Sequence, residues 1–289
     1  MYVPNQSTQT SHLNVADLKE CSLSRKFGMI GGGMMGEALL SRLVAQKVFL
    51  PDDVMVSEPL LSRREFLAQQ YQVQVTGDNP DAAIAAEVLL LAIKPQVFEQ
   101  VAKQLSGHTH SGALVISILA GTPLSQLEAA FPDQPVIRAM PNTPAAVGAG
   151  ITAIAAGQHV QPHHIEQATQ ILQTVGEVVE VPESMLDAVT GLSGSGPGYV
   201  ALVVEALADG GVAAGLPRAI AMKLALQTIR GTAQLLQESG MHPGELKDRV
   251  TSPGGTTIAG ISKLEEAGFR SALIEAVKAA YQRSRELGK

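Results

Sequence analysis

Tryptophan is absent from this 289-residue chain, and aromatic residues together make up only 3%. Its core must therefore be filled by Ala, Val, Leu, Ile and Met, and a hydrophobic content of 45% is enough for a well-buried globular protein. Cysteine is almost absent as well. Cys21 stands alone, which excludes an intramolecular disulfide and fits a reducing compartment. Basic residues are the minority charge, 21 against 27 acidic, for a formal net charge of -6. Such a balance gives no electrostatic reason to expect nucleic acid or an anionic membrane as a partner. Membrane helices are missing too: the long charge-free run at 139–158 is broken by Pro141, Asn142, Pro144 and several glycines. Residues 1–24 lack the apolar stretch of a secretory signal and contain no Arg, so a flexible extension over 1–25 and a cytoplasmic location are expected.

What is present falls into two grammars. From Lys26 to about Val181, short apolar runs (FGMI, DVMVSE, EVLLLAI, ALVISILAG, PVIRAM) alternate with amphipathic stretches such as MMGEALLSRLVAQ and LSRREFLAQQY. Near-continuous apolar strands alternating with helices predict a parallel sheet covered on both faces. ITAIAAG (151–157) and EVVEV (177–181) read as later strands around a helix near 162–175. After Pro182 the strand pattern stops. Five long segments between there and the C-terminus read as helices, with Pro197, Pro217 and Pro243 near starts and Gly240 and Gly268 at stops. The longest have little polar surface, which predicts burial against a second copy of the chain. The expected organisation is an extension (1–25), an α/β dinucleotide-binding domain of Rossmann type (26–182) and an all-α dimerisation and substrate domain (183–289).

The first strand runs into Gly31-Gly32-Gly33-Met34-Met35-Gly36, a G-x-G-x-x-G turn between strand and helix. Gly31 permits the tight turn, Gly33 lets backbone approach a pyrophosphate, and Gly36 allows close helix–strand packing. The helix N-terminus then offers free N–H groups and its positive dipole end to the phosphates. By itself the motif also fits an ordinary tight turn; its place in the first strand–helix unit favours a dinucleotide. The second strand ends at Ser57-Glu58, where an adenosine ribose is expected. Glu58 favours a free 2′-hydroxyl, whereas Arg63 and Arg64 shortly after suit either a 2′-phosphate or a solvated helix face, so the residues leave cofactor choice open.

A second glycine turn, TSPGGTT (251–257), also opens a helix-like run. The main-chain N–H groups of Gly254, Gly255, Thr256 and Thr257 suit a small carboxylate; the plainer account is an N-cap by Thr256. Histidines at 108, 110, 159, 163 and 164 lack the partners of a metal site and read as solvated loop.

LAIKPQ (91–96), ISILAG (116–121), RAMPNTPAAVGAG (138–150), DAVTGLSGSGPGYV (187–200) and LKDRVTSPGGTTIAGISKLE (246–265) together closely resemble pyrroline-5-carboxylate reductase, from about Phe27 to the C-terminus. The resemblance implies reduction of 1-pyrroline-5-carboxylate to L-proline with NADPH, NADH being possible, as the last step of proline biosynthesis. It implies that Gly31, Gly32, Gly33, Met34, Met35 and Gly36 form the pyrophosphate loop. Ser57, Glu58 and Asn79 would then sit at the adenosine end. Ala92, Ile93, Lys94, Pro95, Leu119, Ala120 and Gly121 would line the nicotinamide side, and Met140 to Thr143 would border the active site. Val250, Ser252, Gly254, Gly255, Thr256 and Thr257 would bind substrate, with the Thr257 hydroxyl near the ring nitrogen as the catalytic candidate. Three positions depart from the family pattern: Gly36 is commonly Ala there, Met34 commonly Asn, and Glu58 a small polar residue. The rival two-domain 3-hydroxyacid dehydrogenases need a Lys with an Asn four residues on; here Lys223 is followed at that distance by Gln227.

Overall fold

The structure is a computed structural model that describes residues 27–288. The expected extension over 1–25, with Cys21, lies outside the described residues. Strands and helices alternate first: β1 (Phe27–Ile30), α1 (Met34–Ala45), β2 (Val54–Ser57), α2 (Leu61–Tyr71), β3 (Gln74–Thr76), α3 (Asn79–Ala83), β4 (Val88–Leu91), α4 (Phe98–Leu105), β5 (Leu114–Ser117), α5 (Leu124–Ala130) and β6 (Val136–Met140). Then follow β7 (Gly150–Ala156), α6 (Pro162–Gln173) and β8 (Gly176–Glu180). The strands form one eight-stranded sheet in the order β3-β2-β1-β4-β5-β6-β7-β8. The reversal beside β1, where the chain crosses to β4, is a topological switch point, and ligands of such sheets bind outside the carboxyl ends of the strands there.

Burial explains the layering. Side chains alternate across each strand, so Val88 and Leu90 of β4 enter one core with Leu39, Leu40 and Leu43 of α1, Leu67 of α2 and Ile171 of α6. Leu89 and Leu91 enter the other, with Ala82 of α3, Phe98 and Leu105 of α4 and Leu127 of α5. All four β4 side chains are fully buried, each contributing about 1.5–3 kcal/mol by leaving water. Two features differ from the sequence expectation. The short strand β3 was not foreseen, because Gln74-Val75-Thr76 is too short and polar to show an apolar run. And β7 runs antiparallel to β6, so the sheet is not wholly parallel. Only the tight connection of residues 141–149 joins β6 to β7, too short for the crossover that a parallel pair requires.

Beyond β8 the chain is helical: α7 (Leu186–Val189), α8 (Gly196–Ala213), α9 (Arg218–Ser239), α10 (Pro243–Arg249), α11 (Thr256–Glu266) and α12 (Phe269–Leu287). Between α7 and α8, Thr190–Gly194 forms one widened turn, closed by Ser195 N–H donating to the Thr190 carbonyl at 2.8 Å. Gly191 in that turn lets α12 approach, since a Cβ there would lie 2.7 Å from the Val277 carbonyl oxygen. Helices α8 and α9 share a small core of Val204, Ala208, Ala221 and Ala225. Their other faces leave Val200, Leu202, Leu207, Leu224 and Leu226 exposed. Among the described residues no helix is long and apolar enough to cross a membrane.

Candidate functional site

Parallel strands bring their carboxyl ends to one edge, and that edge collects most of the residues singled out from sequence. Gly31 to Gly36 follow β1, Ser57 and Glu58 close β2, and Asn79 opens α3 after β3. Ala92 to Pro95 follow β4, Leu119 to Gly121 follow β5, and Met140 to Thr143 end β6. Gly31 has φ +99, and a Cβ on it would lie 2.6 Å from the Ala92 carbonyl oxygen, so turn and neighbouring strand both require glycine. Gly33 is different: a Cβ there would meet no atom within 4 Å. The room it leaves faces outward, at the N-cap of α1, which no side chain caps. An uncapped helix start with open space before it has the chemistry to receive an anion such as a diphosphate.

Around the loop the side chains are ordered. Glu58 is buried, its Oε2 accepting the Gly32 N–H at 3.0 Å and its Oε1 the Leu60 N–H at 3.1 Å. It therefore faces the glycine loop rather than the open edge. Arg63 donates from Nε to the Gly32 carbonyl at 2.7 Å and pairs with Glu37, so it is not a solvated helix residue. Tyr71 donates its hydroxyl to Glu37 at 2.7 Å. Burial pushes the Glu37 carboxyl up, but the hydrogen bonds from Arg63 and Tyr71 and the Arg63 charge outweigh it and hold the group below its ordinary range. Burial first, then the bond to Glu37 and its charge, push the Tyr71 hydroxyl up to about 12. Ser57 donates to Asn79 Oδ1 at 2.7 Å, joining the end of β2 to the start of α3. Glu37 and Tyr71 escaped the sequence reading because they lie 34 residues apart and match no motif.

After β4, Ala92 N–H donates to the Ile30 carbonyl at 2.8 Å, which holds the β4 exit against the glycine loop. Leu119 is buried, while Ala120, Lys94 and Pro95 are exposed. The end of α12 returns here: a Cβ on Gly121 would touch the Leu287 carbonyl group at 3.4 Å. Asn142 bridges the halves, donating to the Ser193 carbonyl at 3.2 Å and accepting the Ile151 N–H at 3.0 Å. It also lines a cleft of about 950 Å³ that continues along Val200, Leu202, Met222 and Leu226.

The second glycine turn lies elsewhere. Thr256 and Thr257 are the first residues of α11, whose N-cap is Gly255 with no side-chain bond, so Thr256 does not cap the helix. Gly254 turns the chain with φ +67. The hydrogen bonds of residues 250–257 are local, among them Gly255 N–H to the Ser252 carbonyl at 3.0 Å and the Thr251 hydroxyl to the Lys247 carbonyl. Val250, Ser252, Gly254 and Thr256 are exposed. The histidines have their own occupation: His163 and His164 sit in the first turn of α6 rather than in a loop, and His164 Nδ1 accepts the Gln161 N–H.

Comparison with known proteins gives these features a context. Residues 183–287 match the family model "Pyrroline-5-carboxylate reductase dimerisation", and residues 26–121 match "NADP oxidoreductase coenzyme F420-dependent". A pyrroline-5-carboxylate reductase from Synechocystis sp. is 60% identical over 267 residues, 92% of this chain and 100% of the relative. The chain belongs to the pyrroline-5-carboxylate reductases. Among solved members, the reductase from Coxiella burnetii superposes with a TM-score of 0.85 at 34% identity, covering 92% of this chain and 99% of that one. The Plasmodium falciparum reductase, solved with NADP bound, gives 0.84 at 29% identity, covering 92% and 99%. As a pyrroline-5-carboxylate reductase the chain carries the family's dimerisation region on the helices that expose Leu202, Leu224 and Leu226.

Proposed function

We propose that this reductase converts 1-pyrroline-5-carboxylate to L-proline, with NADPH preferred over NADH, and that its two glycine turns divide the work. The supporting observation is that two helices, α1 and α11, each begin behind a glycine turn with no side-chain cap, one at the switch point of the sheet and one in the helical half. Gly31 to Gly36 hold the cofactor pyrophosphate, with Ser57 and Asn79 at the adenosine end and Glu58 bracing the loop through the Gly32 N–H. Ala92 to Pro95 and Leu119 to Gly121 line the nicotinamide side. The NADP in the Plasmodium relative and the NADP oxidoreductase match over residues 26–121 support this assignment. Val250, Ser252 and Gly254 to Thr257 receive the substrate, its carboxylate on the main-chain amides at the start of α11.

NADPH, when bound, supplies the hydride that adds to the imine carbon. The C=N π electrons move to nitrogen, which carries one proton in the product amine. A protonated imine is already electrophilic, so the chain's main task is to hold the ring in place and limit water. An imine that enters unprotonated instead accepts a hydrogen bond from the Thr257 hydroxyl at its ring nitrogen, and takes the proton of the product amine from that hydroxyl or from water. Purified protein should consume the reduced-nicotinamide absorbance with pyrroline-5-carboxylate and not with a hydroxy acid. Thr257→Ala should lower turnover by about 10²-fold with cofactor affinity intact. Unchanged kinetics in that variant would remove Thr257 from the mechanism.

The same reading divides the described chain near Pro182 and places the enzyme in the cytoplasm as a dimer built on the C-terminal helices. Because the hydrogen bonds of residues 250–257 are local, each active site draws its glycine loop from one chain and its TSPGGTT turn from the partner. Co-expressed Thr257→Ala and Gly33→Asp chains test this. Each variant alone should be inactive, while the co-expressed population should regain about a quarter of wild-type activity, with one of two sites intact in the half of the dimers that are mixed. With both turns drawn from one chain, every site would keep a defect and no activity would return.

A further inference from the structure

We infer that Arg64 selects the 2′-phosphorylated cofactor, and that Glu58 has been withdrawn from the adenosine ribose to hold the glycine loop. The inference rests on the dinucleotide reading above and names the groups that decide between its two cofactor forms.

An acidic residue at the end of the second strand ordinarily accepts hydrogen bonds from the ribose hydroxyls. Glu58 occupies that place in sequence, but both of its oxygens are spent, one on Gly32 N–H and one on Leu60 N–H, and the residue is 7% exposed. To reach a ribose it would have to give up two charge-assisted bonds and leave two amides unpaired. Arg63 grips the next peptide unit through the Gly32 carbonyl. Gly32 is thus fixed at both its N–H and its C=O by side chains from the β2–α2 segment. A loop held in this way keeps its shape whether or not nucleotide is present, and it treats NADPH and NADH alike.

Discrimination then falls to the next residue. Arg64 directs Nη1 to the Glu58 carbonyl at 2.6 Å and the Pro59 carbonyl at 2.9 Å. Its guanidinium lies against Gly77, where a Cβ would sit 3.2 Å from Nη1 and 3.4 Å from the central carbon. The group is therefore seated across the carboxyl ends of β2 and β3, the edge that also holds Ser57 and Asn79. A guanidinium has five N–H donors in a fixed fork. Among the described residues Nη1 alone is bonded to protein, leaving Nε and Nη2 as a pair. Such a pair matches two oxygens of a phosphate and has far less to offer a hydroxyl. The Glu58 carboxylate turns inward to the Gly32 and Leu60 amides, and Asp81 accepts the Thr76 hydroxyl.

Calorimetric titration of the full chain with 2′,5′-ADP and with 5′-AMP separates the two roles without any turnover. Wild-type protein should prefer 2′,5′-ADP. Arg64→Ala should weaken 2′,5′-ADP by about 10- to 100-fold while changing 5′-AMP by less than about 3-fold, and Arg64→Lys should recover part of the loss. Michaelis constants for NADPH and NADH should follow the same pattern. Glu58→Gln should weaken both nucleotides together and lower the melting temperature without switching preference. Equal losses of both nucleotides in Arg64→Ala and in the folded Arg64→Lys variant would overturn the inference. So would a Glu58→Gln change confined to one nucleotide. Wild-type protein that bound neither would overturn the dinucleotide reading itself, and this inference with it.

Discussion

A methyl group on Gly33 would meet no protein atom within 4 Å, and the backbone there, φ -69 and ψ -175, is open to any L-residue. Judged by the protein alone, Gly33→Ala is harmless and even stabilises by about 0.4–1 kcal/mol, because alanine narrows the unfolded ensemble. The cost falls on the ligand. On the proposed function, the methyl stands at the α1 N-terminus, where the diphosphate would come within hydrogen-bonding distance of the amides. Pushing it back far enough to lose one charge-assisted bond costs about 1.5–3 kcal/mol, or about 10- to 150-fold in affinity. Thermal melts of the apo protein and calorimetric titration with NADPH read the two effects separately. Gly31→Ala is the contrasting control: φ +99 and a 2.6 Å approach to the Ala92 carbonyl oxygen make it a folding defect, expected to cost about 3 kcal/mol and roughly 6–12 °C in Tm. Full NADPH affinity in Gly33→Ala would mean that the pyrophosphate does not lie on this helix. A large Tm loss there would mean that the position is not open.

The remaining expectations concern assembly and pH. Leu202 is 66% exposed on α8, so Leu202→Glu should drive the protein toward monomer by light scattering, and activity should fall with it. Glu37 has a folded pKa below its unfolded one, so its stabilisation is present above about pH 4.3 and is lost as pH falls through the folded value. Tyr71 is shifted the other way, to about 12: its contribution is complete below about pH 10 and is lost between there and 12. Melting curves across pH should show Glu37→Gln flattening the acid limb and Tyr71→Phe the alkaline one. Each change should amount to about 1 kcal/mol, since these side chains are partly exposed and screened.

Much of the architecture could be read locally. An apolar run bounded by turns predicts a buried strand wherever it lies, so β1, β2, β4, β5 and β6 were legible from FGMI, DVMVSE, EVLLLAI, ALVISILAG and PVIRAM. Gly31 was legible because its backbone conformation is a property of one residue, and TSPGGTT because an uncapped helix start needs only neighbours in sequence. The same locality shows why β3 was missed: its identity comes from pairing with β2, not from its own three side chains.

The residue order therefore determined the strand–helix alternation, the two glycine turns and the apolar helices that seek a partner, since each is written in short-range pattern. Tertiary structure alone decided where the side chains went. Glu58 and Arg63 close on the Gly32 peptide from 26 and 31 residues away, Tyr71 reaches Glu37 across 34, and Asn142 joins β7 to the turn before α8. Those partners meet only when the sheet forms, because a hydrogen bond depends on separation in space, which the separation in sequence does not record.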